Sequence, residues 1–377
     1  MQRRTFLAGL LAGGALGLSG CQSSSQPTLD VRFLERSLSP QILKAFRRTL
    51  ASSAQLEFEA SAQLASLFEQ LQQWRSDEPA PPLWRRWLPV SETAVQRADW
   101  LTLSDYWLGA AVQQQLIQPI EPAAGWQQLP AQLRQLMQRN AEGQLARSGS
   151  IWGAPYRTQG LMLVYDQRLV RQLGWQPSRW RDLWQPELQG DIVLPNHPRL
   201  VLGIALKSLG YSINDAAAIA QASQSREHPV AEQLTALHRQ TRVYDSDTYL
   251  KVLISEDASL AVGWSSDVLS TLNRYPQLRA VYPQAGTILS SDVWVKPAQV
   301  ETAATLGQQW LEFCWQRPVA TQITLSTRGF SPIFLTSETL PASLQGSLLL
   351  PSAEVRAQSE FLQPLPDLDA SLWTELS

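Results

Sequence analysis

Short apolar segments alternate along most of the chain with longer segments whose apolar residues recur at helical spacing. Runs of two to six apolar residues are typical of strands, and apolar residues three and four positions apart are typical of helices. The strand-like segments are residues 31–33, 98–103, 151–156, 161–165, 192–194, 260–262, 288–289 and 293–295. Helical spacing is found in residues 39–50, 64–74, 201–209 and 300–315. This alternation predicts an α/β fold with mostly parallel sheets, and a length of 377 residues favours roughly two domains.

The N-terminus has the organisation of an export signal. A pair of arginines, Arg3 and Arg4, precedes an apolar run that ends in Leu-Ser-Gly-Cys at residues 18–21. A charged start, a short apolar stretch and a small-residue exit are typical of a secretory signal, and the paired arginines resemble a twin-arginine signal. The last four residues resemble a bacterial lipobox, which implies cleavage before Cys21 and a lipid on its sulfur.

We therefore expect residues 1–20 to be a signal peptide and residues 21–29 a lipid anchor with a flexible tether. The mature protein would lie in the periplasm, held at the membrane through Cys21. An ordinary export signal with an incidental cysteine is the alternative.

Charge and missing motifs exclude several classes of protein. The 31 Lys and Arg residues nearly balance the 33 Asp and Glu residues, so the basic field of a nucleic-acid-binding protein is absent. The sequence contains no phosphate-binding Gly-rich loop, dinucleotide fingerprint, Gly-x-Ser-x-Gly elbow or His-Glu-x-x-His motif. The three histidines follow no metal-ligand spacing. We expect no enzyme activity, no cofactor and no metal, and a buried, unreactive Cys314 in the apolar segment 310–315.

Several segments carry a family resemblance through their order and spacing. They are residues 98–106, 154–165, 175–190, 205–212, 261–265, 291–297 and 317–332. The first ends in Ser-Asp-Tyr, and the third contains Pro-Ser-Arg-Trp-Arg-Asp-Leu-Trp-Gln-Pro. Together they resemble the periplasmic solute-binding proteins of ABC importers, in the spermidine/putrescine-binding branch.

The resemblance implies a type II periplasmic binding protein fold. In this fold two α/β lobes, each a mostly parallel sheet flanked by helices, enclose a ligand cleft. We expect residues 30–157 plus 290–330 to form lobe 1 and residues 158–289 plus 331–377 to form lobe 2. Closure of the lobes would capture a polyamine-like solute such as spermidine or putrescine. An ABC transporter permease is the implied partner, and we expect a monomer.

The same resemblance implies site residues by position. Ser104 and Tyr106 would line the first lobe, Trp264 would pack along the solute, and Asp292 would bind an ammonium group. A polyamine site needs carboxylates for the charges and aromatic faces for the methylenes and for cation–π contact. His197 falls in the binding segment after the Gly190 strand.

The chain departs from the family pattern in its carboxylates. His197 and Leu200 stand where an acidic pair is usual, and Ser290 replaces an aromatic residue. Glu35, Asp245 or Asp247 could supply a replacement carboxylate.

Two alternatives stay open from the sequence. Arg157 and Arg199 could hold an anionic solute bidentately, and the fold could serve an amino acid, a carboxylate, a sugar phosphate, thiamine or iron. For iron, Tyr106 and Tyr156 would be the candidate ligands. The chain could also be an envelope enzyme or assembly protein that uses the fold without transport, because fold does not determine function.

Overall fold

The computed structural model describes residues 27–50, 54–76, 97–298, 300, 304–335 and 340–365. The predicted signal peptide, Cys21 and most of the predicted tether lie outside these residues. Within them, no helix is long and apolar enough to cross a membrane.

One eleven-stranded sheet contains most of the strands. Its members are β1 (Thr28–Leu34), β2 (Gln55–Ser61), β3 (Trp100–Ser104), β4 (Ile117–Gln118), β7 (Ala154–Asp166), β8 (Ile192–Leu194), β9 (Thr241–Tyr244), β10 (Leu260–Trp264), β11 (Leu278–Val281), β12 (Ile288–Pro297) and β13 (Glu360–Phe361). The order along the sheet is β2-β1-β3-β12-β7-β10-β8-β9, with β4 and β13 beside β12 and β11 beside β7. A separate hairpin joins β5 (Gln138–Arg139) to β6 (Ser150–Ile151).

The sheet has two parallel blocks. In the first block β1 pairs in parallel with β2 and β3, and in the second β8 pairs in parallel with β9 and β10. The long strands β7 and β12 connect the blocks and run antiparallel to each other and to β10 and β3. The predicted α/β fold is confirmed, and the parallel pairing lies within each block.

Two pairs of short predicted strands each form one continuous strand. Segments 151–156 and 161–165 fall largely within β7, and at Gly160 this strand passes close to neighbouring side chains. A Cβ on Gly160 would lie 3.0 Å from Cγ2 of Thr287 and 3.1 Å from Cε1 of Tyr282. Segments 288–289 and 293–295 likewise belong to β12.

Helices cover the sheet. They are α1 (Pro40–Thr49), α2 (Leu64–Ser76), α3 (Leu108–Gln113), α4 (Ala131–Met137), α5 (Gln167–Leu173), α6 (Pro198–Ser208), α7 (Ala216–Gln224), α8 (Pro229–Gln240), α9 (Tyr249–Ile254), α10 (Ser265–Leu272), α11 (Ala304–Trp315), α12 (Arg317–Thr327) and α13 (Ala353–Gln358). Proline begins α1, α6 and α8, where its fixed φ suits the first turn and its missing N–H costs no hydrogen bond. The predicted helices of segments 39–50, 64–74 and 201–209 correspond to α1, α2 and α6.

Two hydrophobic clusters fill the space between the sheet and its helices. In the first, Trp310 packs edge-on against Phe46 with ring centroids 4.9 Å apart, and Tyr156 stacks on Trp294 at 4.2 Å. Cys314 is buried there, as predicted, and burial raises the pKa of its thiol to about 12.

The second cluster surrounds β8 and α6. Trp180 is buried in it, and its indole N–H donates to the carbonyl of Gly286 at 2.9 Å.

The predicted lobe boundaries fall within the connecting strands, at residues 157/158 in β7 and 289/290 in β12. Beyond residue 331, which the prediction assigns to lobe 2, Phe334, Leu344 and Phe361 contribute to the first cluster and Leu362 to the second. The exact division into lobes stays a prediction.

Candidate functional site

A cleft of about 850 Å³, open to solvent, lies where strands of both blocks end. From the first block, residues 34–36 at the end of β1 and Ala62 after β2 line it. From the second block, residues 246–251 after β9 and Trp264 at the end of β10 line it. Ligands of open α/β sheets bind beyond the carboxyl ends of the strands, so this cleft is the candidate solute site.

Aromatic side chains form part of the wall on the side of the second block. Trp264 is half-buried, ends β10 and directly precedes α10, while Tyr275 lies three residues beyond that helix. Tyr249 is almost fully buried against β10, and a Cβ on Gly263 would lie 2.1 Å from its Cε2. Gly263 therefore allows Tyr249 to reach the cleft between α9 and β10.

Charged side chains of both signs line the same cleft. The carboxylates are Glu35, Asp247 and Asp267, and the cations are Arg36, Arg157, Lys251 and Arg274. Burial raises the pKa of Asp267, and the charges of Arg157 and Arg36 oppose this shift. These two guanidinium groups thus lie within electrostatic reach of Asp267.

Asp292 lies behind Arg157. The two residues face each other in the β12–β7 register, and Nε of Arg157 donates to Oδ2 of Asp292 at 2.5 Å. The side chains are 4% and 2% exposed, so they form a buried ion pair. Burial raises the pKa of Asp292, and Arg157 opposes that shift. The carboxylate predicted to bind an ammonium group is therefore already engaged by the protein's own guanidinium.

Ser104 lies at the end of β3. Its hydroxyl accepts from the backbone N–H of Tyr106 and lies 3.3 Å from the hydroxyl of Ser290. Between them, buried Asp105 accepts from the Ser290 hydroxyl at 2.9 Å and from the Ser291 N–H at 3.0 Å. Burial raises the pKa of Asp105 to about 6. The sequence predictions missed Asp105, although it stands between two predicted site residues.

Tyr106 and His197 form a contact between the two blocks. Tyr106 follows β3, His197 precedes α6, and their rings meet edge to face with centroids 5.3 Å apart. Burial lowers the pKa of His197, which favours its neutral form. The structure therefore places Tyr106 in contact with His197, and Ser104 hydrogen-bonds to the backbone of Tyr106.

Asp245 forms hydrogen bonds within its own loop. Its carboxylate accepts from the backbone N–H groups of Asp247 and Thr248, each at 2.7 Å, and so supports the turn before α9. These hydrogen bonds outweigh burial and lower its pKa. Of the proposed replacement carboxylates, Glu35 and Asp247 line the cleft and Asp245 does not.

Two of the alternative hypotheses assign ligand binding to side chains that are buried in the structure. Arg199 is 1% exposed, and its guanidinium donates to the backbone carbonyls of Gln363 and Ile213. Tyr156 is fully buried, and its hydroxyl donates to Ser37 at 2.8 Å. Within the described ranges, no group of three His, Cys, Asp or Glu side chains could hold a metal ion.

The cleft also contains residues that the sequence predictions missed. They are Arg36, Lys251, Asp267, Arg274 and Tyr275. Only Asp267 had a usable signal, because it lies three residues after Trp264 at the start of α10.

An open cleft between two α/β blocks that share long connecting strands is typical of binding proteins that enclose a small solute. The family model for bacterial extracellular solute-binding proteins matches residues 98–353, and the chain belongs to that family. It is a family of binding proteins of transport systems rather than of enzymes.

Comparison with individual proteins agrees with this assignment. The spermidine/putrescine-binding periplasmic protein of Salmonella typhimurium is 24% identical over 196 residues, which are 51% of this chain and 54% of that protein. The putrescine/cadaverine-binding protein of Pseudomonas aeruginosa is 23% identical over 247 residues, 60% of this chain and 67% of that protein. The aligned segment spans about half the length of the Salmonella relative.

The fold is similar to that of a solved structure. The crystal structure of the spermidine/putrescine ABC transporter substrate-binding protein of Streptococcus pneumoniae has a TM-score of 0.73 at 18% identity, covering 93% of this chain and 98% of that one. The likeness confirms the predicted type II periplasmic binding protein fold.

Proposed function

We propose that this protein is the extracytoplasmic receptor of an ABC importer and that it captures a small organic amine, with polyamines as the first candidates. The observation that carries the proposal is the open cleft at the strand ends of both blocks. Its volume of about 850 Å³ falls within the range of small-molecule sites.

The wall of the cleft supplies the chemistry that an amine requires. Glu35, Asp247 and Asp267 offer carboxylates for ammonium groups, since charge-assisted hydrogen bonds are the stronger ones. Trp264 offers an indole face for methylene groups and for cation–π contact. The polyamine-binding relatives support the same substrate class.

Capture would proceed by closure of the two blocks about β7 and β12, and the closed form would be the one presented to the permease. The contact between Tyr106 and His197 joins the blocks and would help to hold that form. The proposal also includes export through the twin-arginine signal, a lipid on Cys21 and a monomeric state.

Isothermal titration calorimetry tests the proposed function. The mature chain carrying Cys21→Ser is titrated with putrescine, cadaverine, spermidine and spermine. We expect at least one amine to bind with a dissociation constant in the micromolar range or below. If none of the four amines gives a heat of binding at millimolar concentration, the result would contradict the polyamine assignment.

Variants locate the binding within the cleft. Glu35→Gln and Asp267→Asn each remove a cleft carboxylate and should weaken amine binding about tenfold, because each loses a charge-assisted hydrogen bond. Glu142→Gln, at an exposed turn outside the cleft, is the matched control and should bind like the parent chain. Equal affinities in all three variants would place the site elsewhere.

A further inference from the structure

Three of the four basic side chains that line the cleft form no ion pair among the described residues. Arg36, Lys251 and Arg274 are exposed and line the cleft, and within the part of the chain that the structure describes no ion pair includes any of them. A solute with only positive charges would meet these three cations as well as the carboxylates. Like charges that lie close together destabilise a complex, so these cations would disfavour a solute that carries only ammonium groups. Such a solute would also offer the three cations no counter-charge.

The pair of Arg157 and Asp292 adds to this balance. The carboxylate of Asp292 is neutralised from within, so it supplies no net negative charge to the cleft. Arg157 itself lines the cleft. The wall then contains three carboxylates and three cations that form no ion pair among the described residues, so its charge is balanced rather than acidic.

Arg36 is also held in an unusual backbone conformation. Its φ of 67° lies in the left-handed region, which costs a residue with a Cβ about 1 kcal/mol. The neighbouring backbone fixes this turn, because the N–H of Glu35 donates to Ser61 at 2.7 Å and that of Ser37 to Leu34 at 3.0 Å. Backbone strain of this kind is concentrated at ligand sites, and here it places an arginine at the end of β1 beside the cleft.

We infer that the solute carries an acidic group as well as an ammonium group. This inference rests on the proposed function and names its substrate class more closely, as a zwitterionic amine such as a basic amino acid. Arg36 from the first block and Arg274 from the second would bind the acidic group, since guanidinium forks match a carboxylate bidentately. The cleft carboxylates and Trp264 would bind the ammonium end.

Pairs of ligands that differ by a single carboxylate test the inference. Ornithine is putrescine with a carboxylate, lysine is cadaverine with one, and arginine is agmatine with one. Calorimetric titration of the Cys21→Ser chain should give at least one amino acid a tenfold or greater advantage over its decarboxylated partner. In the Arg36→Gln variant the affinity of that amino acid should exceed the affinity of its decarboxylated partner by threefold or less. The affinity for the diamine should be unchanged or should rise.

The control is Arg226→Gln, which changes an exposed arginine outside the cleft and should keep the full advantage. Thermal unfolding of each variant verifies that it is folded. Diamines that bind as tightly as their amino acids, or more tightly, would overturn the inference and leave the proposed amine receptor standing. Failure of both members of all three pairs, together with spermidine and spermine, at millimolar concentration would overturn the proposed function as well.

Discussion

Asp292→Asn should destabilise the protein strongly, because it breaks the buried pair that joins β12 to β7. The substitution keeps the shape of the side chain but leaves the guanidinium of Arg157, only 4% exposed, without its nearest counter-charge. Removing one partner of a buried ion pair costs roughly 3–5 kcal/mol. Asp267 remains within electrostatic reach of Arg157, so we expect a value at the lower end, about 3 kcal/mol.

Equilibrium unfolding in urea, followed by tryptophan fluorescence without added solute, measures this loss. In a thermal scan the same change corresponds to a decrease in Tm of about 4 °C, given an unfolding entropy near 2.1 cal/mol/K per residue and roughly 350 residues. The double variant Arg157→Leu with Asp292→Leu should recover most of the loss, because it leaves no buried charge unpaired.

Asp257→Asn, which changes an exposed loop carboxylate, is the control and should stay within about 0.5 kcal/mol of the parent. The opposite result would refute the reasoning. If Asp292→Asn unfolds like the parent but binds amines tenfold more weakly, Asp292 is an accessible ammonium ligand, as its position in the family pattern implies.

Three further predictions concern other buried groups. Gly263→Ala should cost about 1–3 kcal/mol in urea unfolding and weaken solute binding, because the new Cβ displaces the ring of Tyr249. Gly153→Ala, whose Cβ would have no neighbour closer than 3.4 Å, is its matched control, and equal losses in both would contradict this reason. The thiol of Cys314 should not react with a maleimide at pH 8 until urea unfolds the chain, since burial raises its pKa to about 12; rapid labelling of the native protein would show that the thiol is accessible. Burial raises the pKa of Asp105 from 3.8 to about 6 in the folded protein. Between these two pH values the folded state binds more protons than the unfolded state, so the free energy of unfolding should fall by about 3 kcal/mol as the pH rises from about 4 to 6. Asp105→Asn should lack this loss, and identical stability profiles from pH 4 to 7 would contradict the assignment.

Residues with local signals were predictable from the sequence. The apolar alternation predicts the α/β class, and the apolar surroundings of Cys314 predict its burial. Trp264 is the last residue of a buried strand and Glu35 directly follows another, and the end of a strand is visible in sequence.

Residues whose roles depend on pairing were not predictable. The contact of Tyr106 with His197 spans two blocks, and Asp245 turned out to support a local turn while its neighbour Asp247 lines the cleft. A sequence shows which side chains lie in a loop. It does not show which of them form hydrogen bonds with the backbone of that loop.

The sequence by itself determined the class of fold, the family and the end of the sheet at which a solute would bind. Only the tertiary structure decided the charge of that site. Asp292 and Arg157 are 135 positions apart, and the β12–β7 register places them opposite each other, so the expected ammonium ligand is neutralised from within. Register follows from the packing of both strands in three dimensions, and a shift of one residue would turn each side chain to the other face of the sheet.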